Sequence, residues 1–244
     1  MRGMNVDVVA LPQLLSPRHL AGRTVVVFDV IRATTSMAAA LAAGVSAIHV
    51  FADLAGARAA KASHPDAALT CGEERCLPPA DFDLGNSPSA FRADAHAGRT
   101  LMMSTTNGTR AIIAARGAKR VMIGALVNAA AVGAHAAQAG DDVTLLCAGT
   151  HGEISLEDLL GAGAVLEAIR ARADVSLESD SAHVAHDLFE RHRADLGTAL
   201  RSSRGGHNVI AAGLEPDLDF AARLNLLAAV GVVHEDPLRV VRVV

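Results

Sequence analysis

The chain has no tryptophan and no tyrosine, and six phenylalanines are the whole of its 2% aromatic content. Base-stacking platforms and aromatic sugar-binding shelves are therefore not expected. A basic surplus is also missing: 22 Lys and Arg stand against 26 Asp and Glu, a net charge of −4. That weighs against a protein that binds a nucleic-acid backbone. Cysteine is scarce, with only Cys71, Cys76 and Cys147, and the spacing is not that of a disulfide framework. A reducing, cytoplasmic setting is the expectation. No second Cys or His pair with zinc spacing follows the Cys71-x4-Cys76 pair, so it is a weak metal signal. Long apolar runs are absent too. The opening MRGMNVDVVALPQ has no apolar core of the signal-peptide kind. The other apolar runs are broken by Gly and charge, so no transmembrane helix is expected. No linker or low-complexity stretch divides the sequence, and one domain over 1–244 is expected.

What is present is a chain of 244 residues, 51% hydrophobic and 20% charged, able to bury a large core. Its central stretch is TVVVFDVIRATTS, residues 24–36. Val25–Phe28 is short and apolar on both faces, as in a buried central strand. Asp29 ends it. Arg32, Thr34, Thr35 and Ser36 follow, then the Ala-rich helix former Met37–Ala43 with Gly44 as its stop. Ligands of open α/β sheets bind beyond the carboxyl ends of strands, where helix N-termini present free N–H groups. An acid, an arginine and three hydroxyls there suit a phosphorylated ligand and a metal, or simply cap a helix.

Two later stretches repeat that physics. Thr100–Met103 runs into Ser104, Thr105, Thr106, Asn107, Gly108, Thr109 and Arg110, then a helix over Ala111–Ala115. Asn107-Gly108 frees the backbone for positive φ, and successive N–H groups in such a turn make an anion nest. Asp142–Cys147 leads through Gly149, Thr150, His151 and Gly152 to Glu153, Ser155, Glu157 and Asp158. Ser155 reads as an N-cap with acids in the first turn; equally, Glu157 or Asp158 faces the site as a ligand or base. Between these lies the Pro- and Gly-rich segment 72–89, of a length more often functional than idle, the alternative being a solvated acidic loop. Its Glu73, Glu74, Asp81 and Asp83 are oxygen donors of the kind Mg²⁺ takes, and Asn86 and Ser87 add neutral polar groups.

Strands are also expected at Asn5–Leu11, Val45–Phe51, Pro65–Cys71, Lys119–Gly124 and Leu238–Val244. Helices are expected from Asp53 to Ser63, over Asn128–Gln138, and after Ser155 to about Ala173. The alternation of strands and helices predicts an α/β fold. Thr24–Phe51 and Thr100–Gly124 share an order of elements that suggests an internal duplication. His183, His186 and His192 fall in a polar segment that reads as a solvated helix more readily than as a metal site. Gly205-Gly206 reads as a hinge or turn, with Arg201, Arg204 and His207 beside it. Asp217, Asp219 and Asn225 fall in a helix-like segment running to Val230.

FDVIRATTS (28–36), CGEERCLPPADFDLGNSP (71–88), STTNGTRA (104–111), LVNAAAV (126–132) and CAGTHGEISLEDLLGAG (147–163) resemble, in order, the motifs of the 2-phosphosulfolactate phosphatase family. The resemblance covers residues 5–163 and continues more weakly over 180–187 and 214–225. It implies a three-layer α/β/α fold on a mixed, mostly parallel sheet, with which the alternation above agrees, and a Mg²⁺-dependent phosphatase that releases phosphate from (R)-2-phospho-3-sulfolactate, a step toward coenzyme M. Position by position it implies Asp29, Arg32, Arg110, Glu157 and Asp158 as catalytic groups. Thr34, Thr35, Asn86, Ser87, Thr105, Thr106, Asn107, Gly108 and Thr109 would bind substrate, and Asp29, Glu73 and Asp83 would hold the metal. The family's GER reads Gly72-Glu73-Glu74-Arg75 here, so either glutamate could take that role. Direct attack by water is preferred to an aspartyl-phosphate. The alternatives are a phosphatase for another small phosphorylated hydroxy acid and a non-catalytic binder of small anions. The expected partner is a small phosphorylated sulfonate or carboxylate, with no nucleic acid and no membrane; the apolar C-terminal strand is compatible with a homodimer.

Overall fold

Alternation within the central strand sets the layers. In Thr24–Phe28, Val25 and Val27 face one side of the sheet and Val26 and Phe28 the other, and all are fully buried. A strand buried on both faces needs helices on both faces. The structure, a computed structural model, describes residues 3–64 and 68–243. Its strands are β1 (Met4–Val9), β2 (Thr24–Phe28), β3 (Ala47–Val50), β4 (Ala68–Gly72), β5 (Thr100–Ser104), β6 (Arg120–Gly124), β7 (Val143–Cys147), β8 (Val175–Leu177), β9 (Gly231–Glu235) and β10 (Leu238–Arg242). Its helices are α1 (Ala33–Ala42), α2 (Leu54–Ala62), α3 (Ala93–His96), α4 (Gly108–Ala114), α5 (Ala129–Ala139), α6 (Leu156–Arg170), α7 (Asp180–His192), α8 (Leu196–Ser202), α9 (Arg204–Ala211) and α10 (Glu215–Ala221).

The sheet has the order β4-β5-β3-β10-β9-β6-β2-β7-β1-β8. Val25 and Val27 pack with α1, α4 and the inner residues of β3, β5 and β10. Val26 and Phe28 pack with α5, α6, α7 and α8. The three-layer α/β/α architecture with a mixed, mostly parallel sheet follows.

The mixing comes from one hairpin. β9 and β10 pair antiparallel with each other, β9 with β6, and β10 with β3. Consequently β4-β5-β3 runs opposite to β6-β2-β7-β1-β8. In a flat sheet the carboxyl ends of β2 and β5 would lie on opposite edges. Here the turns that follow them touch: a Cβ on Gly108 would lie 2.7 Å from Asp29 Oδ2. Accumulated twist across the intervening strands is what brings them together. The order also reads equivalently from either side of the hairpin, with β2–α1–β3 answering β5–α4–β6. That is a relation of topology and does not bear on descent.

Several boundaries differ from expectation. β9 is not among the expected strands; the helix-like segment expected to reach Val230 ends, as α10, at Ala221. Gly205 and Gly206 are not a hinge: both lie inside α9. Helix α4 begins at Gly108, three residues early. Of the expected strands, Pro65, Asp66, Ala67 and Val244 lie outside the described residues. No helix among those described is long and apolar enough to cross a membrane.

Candidate active site

The turn after β2 is built from its own side chains. The Asp29 N–H donates to Thr34 Oγ1 at 3.1 Å, and the Ala33 N–H donates to Asp29 Oδ1 at 3.3 Å. The Thr35 hydroxyl donates to the Val30 carbonyl at 2.7 Å, and the Ser36 hydroxyl to the Asn86 carbonyl at 2.7 Å. Thr34 and Thr35 are fully buried and spent on this turn, so neither is available to a substrate as expected. Their effect is to hold Asp29 at the strand end with its backbone satisfied.

The turn after β5 works similarly. Thr105 and Thr109 exchange backbone-to-hydroxyl hydrogen bonds in both directions at 3.2 Å, and the Thr109 hydroxyl donates to the Thr105 carbonyl at 2.9 Å. The hydroxyls of these two threonines are thus engaged within the turn, although Thr105 also lines a depression beside the site. Gly108 is required where it sits, because a Cβ would approach the Ala33 Cβ to 2.5 Å as well as Asp29. Thr106 is different. Its N–H and hydroxyl both donate to Glu73 Oε1, at 2.8 and 2.7 Å, and the Cys76 N–H donates to Glu73 Oε2 at 2.9 Å. Three donors thus orient one carboxylate.

Asp29, Arg32, Glu73, Asn86, Thr106 and Asn107 share the wall of one cavity of about 60 Å³. The expected set from three separate loops is therefore brought together. Glu73, not Glu74, is the glutamate of this wall; Glu74 is exposed outside it. Arg32 is 4% exposed, and its Nη1 donates to Asp217 Oδ2 at 2.6 Å. Nη2 donates to the Cys76 carbonyl, and the Ser87 hydroxyl donates to the same Asp217 oxygen at 2.9 Å. Ser87 thus supports the Arg32–Asp217 pair and does not line the cavity.

The opposite wall has no counterpart among the expected residues. Gly205, Asn208 and Val209 of α9 close the cavity, with Thr150 and His151 from the loop after β7. Asp217 reads in the sequence only as one acid in a helix. Its burial beside Arg32, across 185 positions, has no local signal.

Electrostatics make this corner costly as it stands. Burial pushes the Asp29 carboxyl up to about 7; hydrogen bonds from the Ala33 and Gly108 amides oppose that, and the Glu73 and Glu157 charges add to it. Glu157 and Asp158 are also raised, chiefly by burial, with Asp29 and Glu157 adding to the effect on Asp158. Asp158 is a brace: its Oδ1 accepts the Val30 N–H at 2.8 Å and its Oδ2 the Gly149 N–H at 2.9 Å. It ties the ends of β2 and β7 together and does not line the cavity. Glu157 is 1% exposed, and its Oε2 has no hydrogen-bond partner. Ser155 does not cap α6 through its side chain; its hydroxyl pairs with Thr150 Oγ1 at 2.7 Å.

Two further expected residues lie apart from the small cavity. Asp83 is exposed, and its Oδ2 accepts the Thr70 N–H and hydroxyl at 2.7 and 2.8 Å, with Lys61 at 3.7 Å. It pins the 72–89 loop to β4 and is not beside Asp29. Arg110 is exposed and lies outside the small cavity, in an adjoining depression.

No three His, Cys, Asp or Glu side chains among the described residues are disposed to hold a metal ion alone. Mg²⁺ does not need such a cage. It usually takes one or two carboxylates, with waters and substrate phosphate completing its shell. The residues present fit that pattern: Asp29 and Glu73 share the cavity wall, and Asn86 Oδ1 is a buried acceptor without a partner. A cation there would turn the crowding of carboxylates from a cost into a binding energy.

Comparison with known proteins agrees with the motif reading. A profile of the family described as 2-phosphosulpholactate phosphatase matches residues 9–236. A protein of Symbiobacterium thermophilum named probable 2-phosphosulfolactate phosphatase is 41% identical over 220 residues, 89% of this chain and 94% of its own. Proteins of the same name from Deinococcus radiodurans and Thermus thermophilus are 40% and 39% identical, covering 82% and 95% of this chain and 82% and 94% of their own.

Proposed function

The chain belongs to the 2-phosphosulpholactate phosphatase family, and from that premise we propose that it hydrolyses (R)-2-phospho-3-sulfolactate to 3-sulfolactate and phosphate with Mg²⁺ as cofactor. The observation that carries this reading is the pairing, in one small cavity, of a buried guanidinium with two carboxylates. Arg32, Asp29 and Glu73 all line a space of about 60 Å³. Carboxylates beside an anion site help binding only when a cation lies between them.

Arg32 binds the phosphoryl oxygens by charge-assisted hydrogen bonds. Asp217 and the Cys76 carbonyl hold its guanidinium plane in place before substrate arrives, so little reorganisation accompanies reaction. Glu73 is held in one orientation by Thr106 and Cys76 and helps hold the metal with Asp29 and Asn86 Oδ1. When bound, Mg²⁺ supplies neutralisation of phosphoryl charge and polarisation of its oxygens. Asp29, held at the end of β2 with its Oδ1 accepting the Ala33 N–H, takes the proton of the attacking water. Asn208 and Val209 of α9 contribute to the cavity wall.

The test is phosphate release from 2-phosphosulfolactate with Mg²⁺ and with EDTA. Fast release with Mg²⁺ and none with EDTA is expected. No release under either condition would overturn the reading, and equal release in EDTA would remove the metal from it.

A further inference from the structure

The small cavity is too small for the whole of the proposed substrate. By the same measure a single water needs roughly 10–15 Å³, so about 60 Å³ holds a phosphoryl group with its bridging oxygen and little else. A three-carbon acid bearing a carboxylate and a sulfonate must extend outward. The way out is defined: Glu73, Arg75, Thr106 and His151 line both the small cavity and a depression of about 470 Å³ beside it.

We propose that this outer depression is a second binding subsite, in which Arg110 and Arg75 pair with the sulfonate or carboxylate arm of the substrate. The inference rests on the phosphatase reading above. Arg110 and Arg75 both line the depression, and neither makes an ion pair or side-chain hydrogen bond among the described residues. Two of the acids nearby are already engaged. Glu73 accepts from Thr106 and Cys76, and Asp53 accepts the Gly56 N–H at 2.8 Å as the cap of α2. The third, Glu74, is solvent-exposed. Leu54 and Ala55 supply an apolar flank for the carbon chain.

The two arginines reach the subsite from different loops. Arg110 projects from the first turn of α4, on the same turn that places Thr106 against Glu73. Arg75 stands in the 72–89 loop with φ of 52°, directly before Cys76, whose carbonyl accepts from Arg32. Each arginine is thus one short backbone step from a group of the inner cavity. This joins recognition of the acid arm to the position of the phosphoryl group. Paired guanidinium donors suit the oxygens of sulfonate and carboxylate. Recognition is thereby divided between the two spaces. The inner cavity takes any phosphoryl ester, and the outer depression decides which acid is attached to it.

The experiment separates the two halves with two probes. Inorganic phosphate reports the inner cavity; 3-sulfolactate, which carries the arms without the phosphate, reports the outer one. Both are titrated calorimetrically into wild type, Arg110→Ala, Arg110→Lys and the double variant Arg75→Ala/Arg110→Ala, with Mg²⁺ present. The expected result is sulfolactate affinity at least tenfold weaker in the double variant, weaker binding in Arg110→Ala with partial recovery in Arg110→Lys, and phosphate affinity within threefold of wild type in Arg110→Ala, because Arg110, unlike Arg75, does not line the inner cavity. The matching kinetic result is a raised KM for 2-phosphosulfolactate in Arg110→Ala with kcat within threefold. Sulfolactate binding within twofold of wild type in the double variant would overturn the subsite. So would equal weakening of both probes in Arg110→Ala, or binding of phosphate but not sulfolactate by wild type. If wild type binds sulfolactate through these arginines but not phosphate, the subsite stands and the phosphatase reading falls.

Discussion

Arg32 Nη1 and Asp217 Oδ2 lie 2.6 Å apart although 185 positions separate the residues, and both side chains are almost completely buried. The pair joins the turn after β2 to α10, and so joins the strand-end chemistry to the helices that roof it. A buried pair is weak evidence for net stability, but removing one partner leaves an uncompensated charge. Asp217→Asn, which keeps shape and removes charge, should therefore destabilise the fold by about 3 kcal/mol, read as a lower urea midpoint at unchanged slope. Its kcat/KM should fall at least tenfold as the Arg32 guanidinium loses its orientation. A variant within about 0.5 kcal/mol and twofold of wild type would show that the pair does neither.

Glycine in α9 has a specific reason. A Cβ on Gly205 would come within 2.1 Å of Glu157 Oε1, so α9 could not sit where it closes the cavity. Gly205→Ala should cost about 1–3 kcal/mol through overpacking and reduce turnover with it. The control is Gly197→Ala in α8, where the nearest atom to a new Cβ is the flexible end of Arg201 at 3.2 Å. That change should be neutral or stabilising by up to about 1 kcal/mol, the helix-propensity gain. Thermal melts of the two variants check the pair; a Gly205→Ala melt matching Gly197→Ala would refute the close approach.

How much of this is legible in the sequence depends on range in the chain. The β2 strand and the acid at its end are local patterns, and both stand where the sequence puts them; Asn107-Gly108, expected to free the backbone for positive φ, instead opens α4 with neither residue at positive φ. Glu73 is legible as a donor, but choosing it over Glu74 needs Thr106, which lies 33 positions away. Thr34, Thr35, Thr105 and Thr109 depart from expectation because a hydroxyl four or five residues from a backbone group closes its own turn before any ligand arrives. Asp83 and Arg110 are displaced by fractions of a loop, since composition does not say which side of a turn faces inward. Asp217 and the α9 wall are invisible in the sequence, because they act only after the roof helices dock.

A second titratable site, remote from the cavity, contributes to acid stability. His19 is 6% exposed; its Nδ1 accepts the Ser16 N–H at 3.0 Å, and its Nε2 lies 3.1 Å from the donor Arg18 Nε and 3.4 Å from Asp7 Oδ2. Burial lowers its pKa below 6.5; Asp7 opposes this, and Arg18 and Arg23 add to it. As pH falls through 6.5 the unfolded chain protonates first, so stability declines from there down to the folded pKa and is unaffected above. His19→Asn, which keeps an acceptor for Ser16, should show a smaller loss of urea midpoint between pH 7.5 and about 5.5. An identical acid limb in both proteins would remove His19 from the account.

Metal binding can be read without turnover, and this separates Glu73 from Asp83. A ligand that binds only the folded state raises the melting temperature by mass action. With millimolar Mg²⁺ and no substrate, wild type should melt higher than in EDTA. Glu73→Gln keeps acceptor and shape but removes the charge, and should lose most of that shift. Its Tm in EDTA should change less, because its Oε1 can still accept from Thr106. Asp83→Asn disturbs the Thr70 and Lys61 contacts and should lower Tm in Mg²⁺ and in EDTA alike, leaving the difference intact. The opposite pattern, with the Mg²⁺ shift lost in Asp83→Asn and kept in Glu73→Gln, would move the metal out of the cavity that Arg32 and Asp29 share. The two variants thus decide between one carboxylate that faces the phosphoryl group and one that only pins the loop carrying it.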